Sequence, residues 1–581
     1  MKFKIPIAVF AIVAVALIAV SQIKNEPFAP AEDFPRGALV YVQIADLPAL
    51  LKFWNESKFK GKYLESENFK SFKNRHLGLK LASRWEEFSS GIGFPIDTET
   101  LGGLAENRAA VALYDIGKLE FVFIAPVSAE IFAATKFAQH QNKFAEEISG
   151  DGTRIYRATV EADRARQKQE LIYANANGRF VLATSEKLLA QTLNNINGKN
   201  GGANRLADEP SFKILSAETE PRAATVWVNQ TALNQDYYFK RYWLMSEIET
   251  LENIRAGIFD FAVEEGKLIE RRRFFRNQTV SQPPIETAQA GAMLSLLPAG
   301  VPFYRLQTAD DQTIDEAIRE TIFDRRNPAQ SARDDRHSFY VSDDFQAGDY
   351  DRLGEKFDET IDEIETIETI EKRETAADFS ALMRAAKPQS VLTLTVPKVA
   401  PAPLFAEFRR AAIFALRAPD NFDRDSFEAA IAEKISAQVI ISAPDARLNW
   451  ETKNETDASW RELKLPMLGW EIVYARSGDR LILANSVELL REIQTVWISA
   501  VAEKPGAPSS KLTVLNFNEK ETAYDRVFAA LAERNAGHEF FTGNVGSLLD
   551  SISAVEQIEI RENYSRRFLE EEITVVFRQS D

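Results

Sequence analysis

The chain contains no cysteine. That excludes structural disulfides, thiolate nucleophiles, zinc–thiolate and iron–sulfur ligation, and the acylated cysteine of a lipoprotein. Histidine is scarce as well. The four in 581 residues, His76, His140, His337 and His538, are not spaced to share a metal. A surplus of positive charge is also missing. Lysine and arginine number 70 against 86 aspartates and glutamates, a net charge of −16, which repels a phosphate backbone unless a basic face is segregated. The longest basic cluster, Arg271–Arg273, follows the apolar, strand-like run Ile258–Ile269 and reads as side chains alternating across a sheet rather than gripping an anion. No nucleic-acid partner is expected.

Reactive motifs are lacking too. There is no Gly-x-Ser-x-Gly elbow, no Gly-x-Gly-x-x-Gly and no phosphate-binding loop. Ser57-Lys58-Phe59-Lys60 has the form Ser-x-x-Lys, but the companion Ser-Asp-Asn and Lys-Thr-Gly motifs of that chemistry are not present. The acidic stretch Glu355–Glu374 has no glycine around which a calcium loop could turn. It reads as a helix with a solvated acidic face, whose isoleucines at 361, 364, 367 and 370 wind around the axis instead of forming one stripe. Paired carboxylates for glycoside hydrolysis are set by distance in space, so the sequence does not locate them. No catalytic residue, metal ligand or cofactor is expected.

What is present begins with the N-terminus. Lys2 and Lys4 precede an uncharged apolar run, Ile5–Val20, which falls between a signal-peptide core of about 7–15 residues and a spanning helix of about 17–25. Ala19-Val20-Ser21 suits cleavage. A span over residues 5–23 closed by Lys24 suits an uncleaved anchor, the preferred reading. Residues 1–24 are thus expected to be a signal anchor or signal peptide, with the two lysines holding the N-terminus in the cytoplasm. The expected placement is a single pass of the inner membrane with the bulk in the periplasm or outside. The alternative is a cleaved chain, soluble in the periplasm. Residues 25–32 read as a polar, proline-containing tether.

At 45% apolar and 10% aromatic the remainder is expected to fold, and its length exceeds what one core supports. An internal repeat organises it. LIYANANGRFVLATSEKLLAQTL from Leu171 matches IVYARSGDRLILANSVELLREI from Ile472 without a gap, Tyr173 falling on Tyr474, Arg179 on Arg480 and Ser185 on Ser486. Each copy reads as strand, tight polar turn, strand, then a helix opening near a serine. Colinear likenesses link Gly37 and Tyr41 to Gly300 and Tyr304, Asp97 and Leu101 to Asp378 and Leu382, and RAATVWVN from Arg222 to SKLTVLNF from Ser510. A fifth links the segments from Gly257 and Ser553. The expectation is an α+β fold of two duplicated modules, 33–276 and 293–581, joined by the linker 277–292. Each would be a largely antiparallel sheet with helices packed on one face, behind one N-terminal apolar helix.

One segment suits partner contact. In NQDYYFKRYWLM, from Asn234, the residues Tyr237, Tyr238, Tyr242 and Trp243 stand beside Lys240 and Arg241, a mixture found at interface hot spots and glycan-stacking surfaces. The bland alternative is an amphipathic helix whose aromatics are core.

PRGALVYVQIADLPALLKFW, LGGLAENRAAVALY and GRFVLATSEKLL resemble segments of a bacterial family known only as Domain of Unknown Function 3352. The resemblance implies a membrane-proximal N-terminus and an extracytoplasmic region of similar strand–helix units, and it implies no activity. Together these features lead to the expectation of an extracytoplasmic envelope protein, a non-catalytic binding or assembly module tethered to the membrane through residues 5–23. Its partner would be an envelope protein, a glycan or a lipid. A carrier or sensor of a lipid-like ligand is the alternative, and an unrecognised hydrolase the third.

Overall fold

The computed structural model describes residues 30–45, 76–105, 108–149, 152–160, 169–199, 204–217, 223–237, 251–264, 267–280, 282–322, 379–398, 407–439, 448–455, 458–465, 470–499, 508–517 and 555–578, with Leu47, Leu51, Leu64 and Phe239. The chain divides into two compact units, one comprising 1–282 with 532–581 and the other 283–531.

The first unit carries β1 (Val40–Ile44), β2 (Ala109–Asp115), β3 (Glu120–Pro126), β4 (Ala145–Ile148), β5 (Arg154–Val160), β6 (Gln169–Ala176), β7 (Arg179–Ala183), β8 (Ala224–Val228), β9 (Ile254–Glu264) and β10 (Lys267–Arg276). The second carries β11 (Phe303–Thr308), β12 (Pro388–Lys398), β13 (Glu407–Leu416), β14 (Glu451–Asn454), β15 (Ser459–Leu465), β16 (Trp470–Ser477), β17 (Arg480–Ala484) and β18 (Lys511–Asn516). The C-terminal hairpin, β19 (Val555–Ser565) and β20 (Phe568–Phe577), returns to the first unit, where β20 pairs with β10.

Pairing in the first unit runs β4-β5-β6-β7-β3-β2-β1-β8-β9-β10-β20-β19. In the second it runs β14-β15-β16-β17-β13-β12-β11-β18. Every strand pairing among the described residues is antiparallel, and tight turns make that possible. Ala176 lies opposite Arg179, leaving Asn177 and Gly178 as a two-residue loop, both at positive φ (49° and 74°). That is the type I′ geometry Asn-Gly favours because its twist matches the strands it joins. Between β16 and β17 the loop is Gly478-Asp479, and Gly478 alone of the two has positive φ (57°).

Side chains alternate along a strand, and here both faces are buried. On β7, Val181 and Ala183 enter one core while Phe180 and Leu182 enter another. On β17, Ile482 and Ala484 divide from Leu481 and Leu483 in the same way. This explains why the four residues after Arg179 and after Arg480, FVLA and LILA, are continuous apolar runs rather than the half-polar alternation of a sheet with one wet face. Helices close each side. Glu186–Ile196 and Pro210–Ser216 contribute Leu188, Leu189, Leu193, Phe212 and Leu215 to one core of the first unit. His76–Ile92 and Lys136–Gln139 contribute Phe88, Ile92 and Phe137 to the other. In the second unit Val487–Ser499 brings Leu489, Leu490 and Ile493 to one face. The helices Asp311–Ile322 and Arg424–Val439 bring Ile314, Ile318, Phe427, Ile431 and Ile435 to the other.

The fold-class expectation is therefore corrected. The strands among the described residues form the two antiparallel ladders above, and the expected module 293–581 is neither of them, because β19 and β20 extend the ladder of the first unit. Helices cover both faces, not one. No apolar N-terminal helix is among the described residues. The likeness between the segments from Gly257 and Ser553 assigned the last hairpin to a second module. What overrides it is charge matching, since Arg271, Arg272 and Arg273 of β10 lie opposite Glu572, Glu571 and Glu570 of β20.

The expected single pass of the inner membrane is corrected as well. Among the described residues no helix is long and apolar enough to cross a membrane. His76–Ile92, with 17 residues, carries Lys80, Arg84, Glu86 and Glu87, whereas a span needs about 20 predominantly apolar residues. Residues 5–23 lie outside the described residues.

Leu182 and Leu483 are fully buried at equivalent points of β7 and β17. Truncating either to alanine removes buried methyl groups and leaves a cavity, at a cost of about 2–5 kcal/mol. Urea denaturation of Leu182→Ala and Leu483→Ala is expected to show a loss of that size in the transition of the affected unit.

Candidate functional site

The aromatic segment starts from a fixed platform. The Asn229 side chain caps the helix Gln230–Leu233 by accepting the Ala232 amide at 3.1 Å. Gln230 donates to Asn234 at 2.7 Å, and Asn234 donates onward to the Leu251 carbonyl at 3.0 Å. Asp236 Oδ1 accepts the Phe239 amide at 2.9 Å, an Asx-type closure that orders the next turn. On this platform Tyr237 is 62% exposed and Phe239 is partly buried. Tyr238, Lys240, Arg241, Tyr242 and Trp243 lie outside the described residues, as do Ser57–Lys60 and the acidic stretch 355–374. Of the histidines, His140 faces Phe94 at 5.0 Å and places Nδ1 3.0 Å from the Lys136 carbonyl. Among the described residues no cluster of three or more metal-ligating side chains occurs.

Two buried charge clusters were not singled out from the sequence. In the first unit the Glu270 side chain is 2% exposed, and Arg272 grips it from Nε at 2.6 Å and from a terminal nitrogen at 3.0 Å. Arg272 also reaches Glu571 at 3.4 Å. On the other face Arg271 meets Glu572 at 2.8 Å, and Arg273 meets Glu570 at 3.4 Å while its guanidinium lies 4.2 Å from the centroid of the Phe568 ring. Burial pushes the Glu270 carboxyl above the ordinary carboxylate range, with the Arg272 guanidinium opposing that shift. The sequence signal was a run of three arginines in one strand and three glutamates in another.

In the second unit Arg461 on β15 is bidentate to Glu428, at 2.6 and 2.7 Å, and the Tyr474 hydroxyl donates to Glu428 Oε1 at 2.5 Å. Arg461 also donates to Thr452 at 2.6 Å. Phe422, Phe427 and Trp450 stand edge-on to the Tyr474 ring. Burial, then the bond to Glu428, raises the Tyr474 phenol well above its usual range. In the first unit Tyr173 takes a different environment. Its cross-strand neighbour is Tyr156, stacked at 4.8 Å, and Phe137, Phe144 and Phe180 complete the cage. The Tyr173 hydroxyl has no hydrogen-bond partner among the described residues. Chemically these clusters are closed. Arg272 and Arg461 hold Glu270 and Glu428 in a fixed fork within the core, which suits anchoring of strands.

The surface of the second unit also has an open depression of about 520 Å³ lined by Pro298, Ala299, Glu488, Arg491, Glu492 and Thr495. Arg491 is paired with Glu455, and Glu492 with Arg409.

No sequence model of a known family matches the chain, and no curated protein matches it. Among solved structures, crystal form IV of TP0453 is similar at 8% identity and a TM-score of 0.25, over 43% of this chain and 81% of that one. Crystal form III of TP0453 is similar at 9% identity and a TM-score of 0.25, over 48% and 89%. A TM-score of 0.25 is too low for fold or function to be taken from the likeness.

The clusters make two measurable demands. Glu428→Ala leaves Arg461 and Tyr474 without their carboxylate. The Arg461 side chain keeps 22% exposure, so the loss is expected at about 2–3 kcal/mol, below that of a fully buried pair. Glu428→Gln, which keeps an acceptor, loses less in the same denaturation assay. For Glu270, a folded-state pKa above the ordinary 4.5 means the protonated form is favoured in the fold. Its contribution is fully present below about pH 4.5 and is lost as pH rises through the folded value. Wild type is therefore expected to lose stability relative to Glu270→Gln as pH rises across that window, read as the difference between their unfolding midpoints.

Proposed function

We propose that the chain is a non-catalytic binding or assembly protein whose contact surface includes Tyr237. The observation that carries this reading is a large, amphipathic aromatic held 62% exposed on a hydrogen-bonded turn, while the sheet beneath is closed on both faces by packed cores. An ordered, exposed tyrosine costs little conformational entropy on binding and offers both a ring face and a hydroxyl, which is why tyrosine recurs at binding hot spots. The buried carboxylates support the same reading, being occupied by arginines inside the core. The recognised partner is another protein.

Native mass spectrometry of the full chain, isolated gently from its source cells, tests this. The expected result is an added mass of protein size that is lost in Tyr237→Ala, with the unfolding midpoint of that variant changed by no more than about 0.5 kcal/mol, as for surface substitutions. A stoichiometric addition of lipid size, insensitive to Tyr237→Ala, would overturn the proposal.

A further inference from the structure

Among the described residues β4 pairs with β5 alone, and all four of its residues are exposed. The Ser149 amide donates to the Thr153 carbonyl at 2.9 Å, and the Gly152 amide closes the turn on Ser149 at 2.9 Å. Gly152 has φ of 86°, as the bulge at such a three-residue turn requires. This fixes the hydrogen-bonding phase of the ladder. Ser149 is opposite Thr153 in a bonded pair, so Glu147 and Ile155 are bonded. Glu146 and Ile148, opposite Tyr156 and Arg154, are the non-bonded positions. The N–H and C=O of Glu146 and Ile148 therefore point outward, away from β5.

The side chains of the same two residues share one face of the strand. Ile148 is 71% exposed, and Glu146 keeps only a loose ion pair with Arg154 at 3.5 Å, both side chains largely in solvent. Natural sheets guard a free edge with lysine, proline or inward charge. At β14, the outermost strand of the second unit, Lys453 stands beside Glu451 at 2.6 Å and Thr452 is held by Arg461. β4 has no lysine or proline, and it exposes an isoleucine where a guard would stand.

We propose that β4 is a docking edge that accepts an extended segment of another protein as an added strand, with a basic side chain beside Glu146 and an apolar one beside Ile148. The outward backbone groups supply main-chain hydrogen bonds, the mode in which a peptide extends a sheet, and the two side chains select the partner. A second copy of this strand is disfavoured, because pairing β4 with itself about Glu147 would set two glutamates directly opposite. The proposal rests on the binding-protein reading and gives the partner's chemistry. It stands on residues separate from Tyr237.

The test uses the full chain and two fluorescently labelled peptides of seven residues, Thr-Val-Thr-Lys-Thr-Val-Thr and Thr-Val-Thr-Glu-Thr-Val-Thr, which set the charge two residues from a valine in either strand direction, with binding read by anisotropy. The lysine–valine peptide is expected to bind about tenfold or more tightly than its acidic counterpart. Ile148→Pro removes an outward N–H without touching the β4–β5 ladder and is expected to weaken that binding by about tenfold or more. Glu146→Lys, a surface change that the fold tolerates, is expected to reverse the preference, and Tyr237→Ala to leave it unchanged. Equal binding of both peptides, or wild-type binding by Ile148→Pro and Glu146→Lys, would overturn the proposal. So would self-association of the chain abolished by Ile148→Pro, which would make a second copy the occupant. None of those results bears on a protein-sized addition sensitive to Tyr237→Ala, so the two readings fail separately.

Discussion

Burial of both sheet faces is the constraint from which the rest of each unit follows. A strand such as β7 or β17 has no wet side on which to place a charge, so past the arginine that opens it every position is apolar. Polar groups that do enter the interior have to be matched within it, because an unpaired charge there costs several kcal/mol. Arg461 on Glu428 and Arg272 on Glu270 are the two main instances. The rule has limits, since the Trp227 and Trp460 indole N–H groups and the Tyr173 hydroxyl are buried with no hydrogen-bond partner among the described residues. For Tyr173, stacking on Tyr156 and burial of the ring outweigh the cost of the unpaired hydroxyl.

The ladder between β10 and β20 applies the same logic between distant parts of the chain. Three arginines face three glutamates over successive registers, alternating between the faces. A shift of one residue would carry Arg272 and its strand neighbour Glu270 together to the face of Arg271 and Arg273 and take Arg272 away from Glu571. Register is thus specified by charge where apolar pattern alone would permit slippage.

Several local features that depend on neighbouring residues were legible. Asn177-Gly178 and Gly478-Asp479 announced hairpins, and the turn from Asp115 to Lys118 is closed by Asp115 accepting the Lys118 amide at 2.7 Å. Ser486 caps its helix, accepting the Leu489 amide at 3.3 Å, whereas Ser185 at the matching place makes no side-chain cap. The reading failed where the answer lay in pairing across long separations. Similarity between the segments from Gly257 and Ser553 suggested equivalent positions in two modules, but those segments meet in one unit because their charges are opposite. One-sided helix packing was inferred from the hairpins. It overlooked FVLA and LILA, whose lack of alternation already required two covered faces. Of the aromatic segment offered for partner contact, Tyr237 is exposed and Phe239 partly buried, and Tyr238, Lys240, Arg241, Tyr242 and Trp243 lie outside the described residues. The clusters around Glu428 and Glu270 went unseen because an arginine in a strand and a glutamate in a helix become a pair only in space.

Two-sided burial makes a direct demand on backbone opening. Amides of β7 and β17, covered on both faces and paired on both edges, can exchange only through cooperative unfolding of their units. Hydrogen exchange by mass spectrometry on the full chain, resolved to segments 179–183 and 480–484, is the measurement that tests this. Protection of both segments that tracks the global stability of their units, well above that of 145–148, is the predicted result. Exchange in 179–183 or 480–484 as fast as at 145–148 would contradict it, because a wet sheet face would then lie where the account places a packed core.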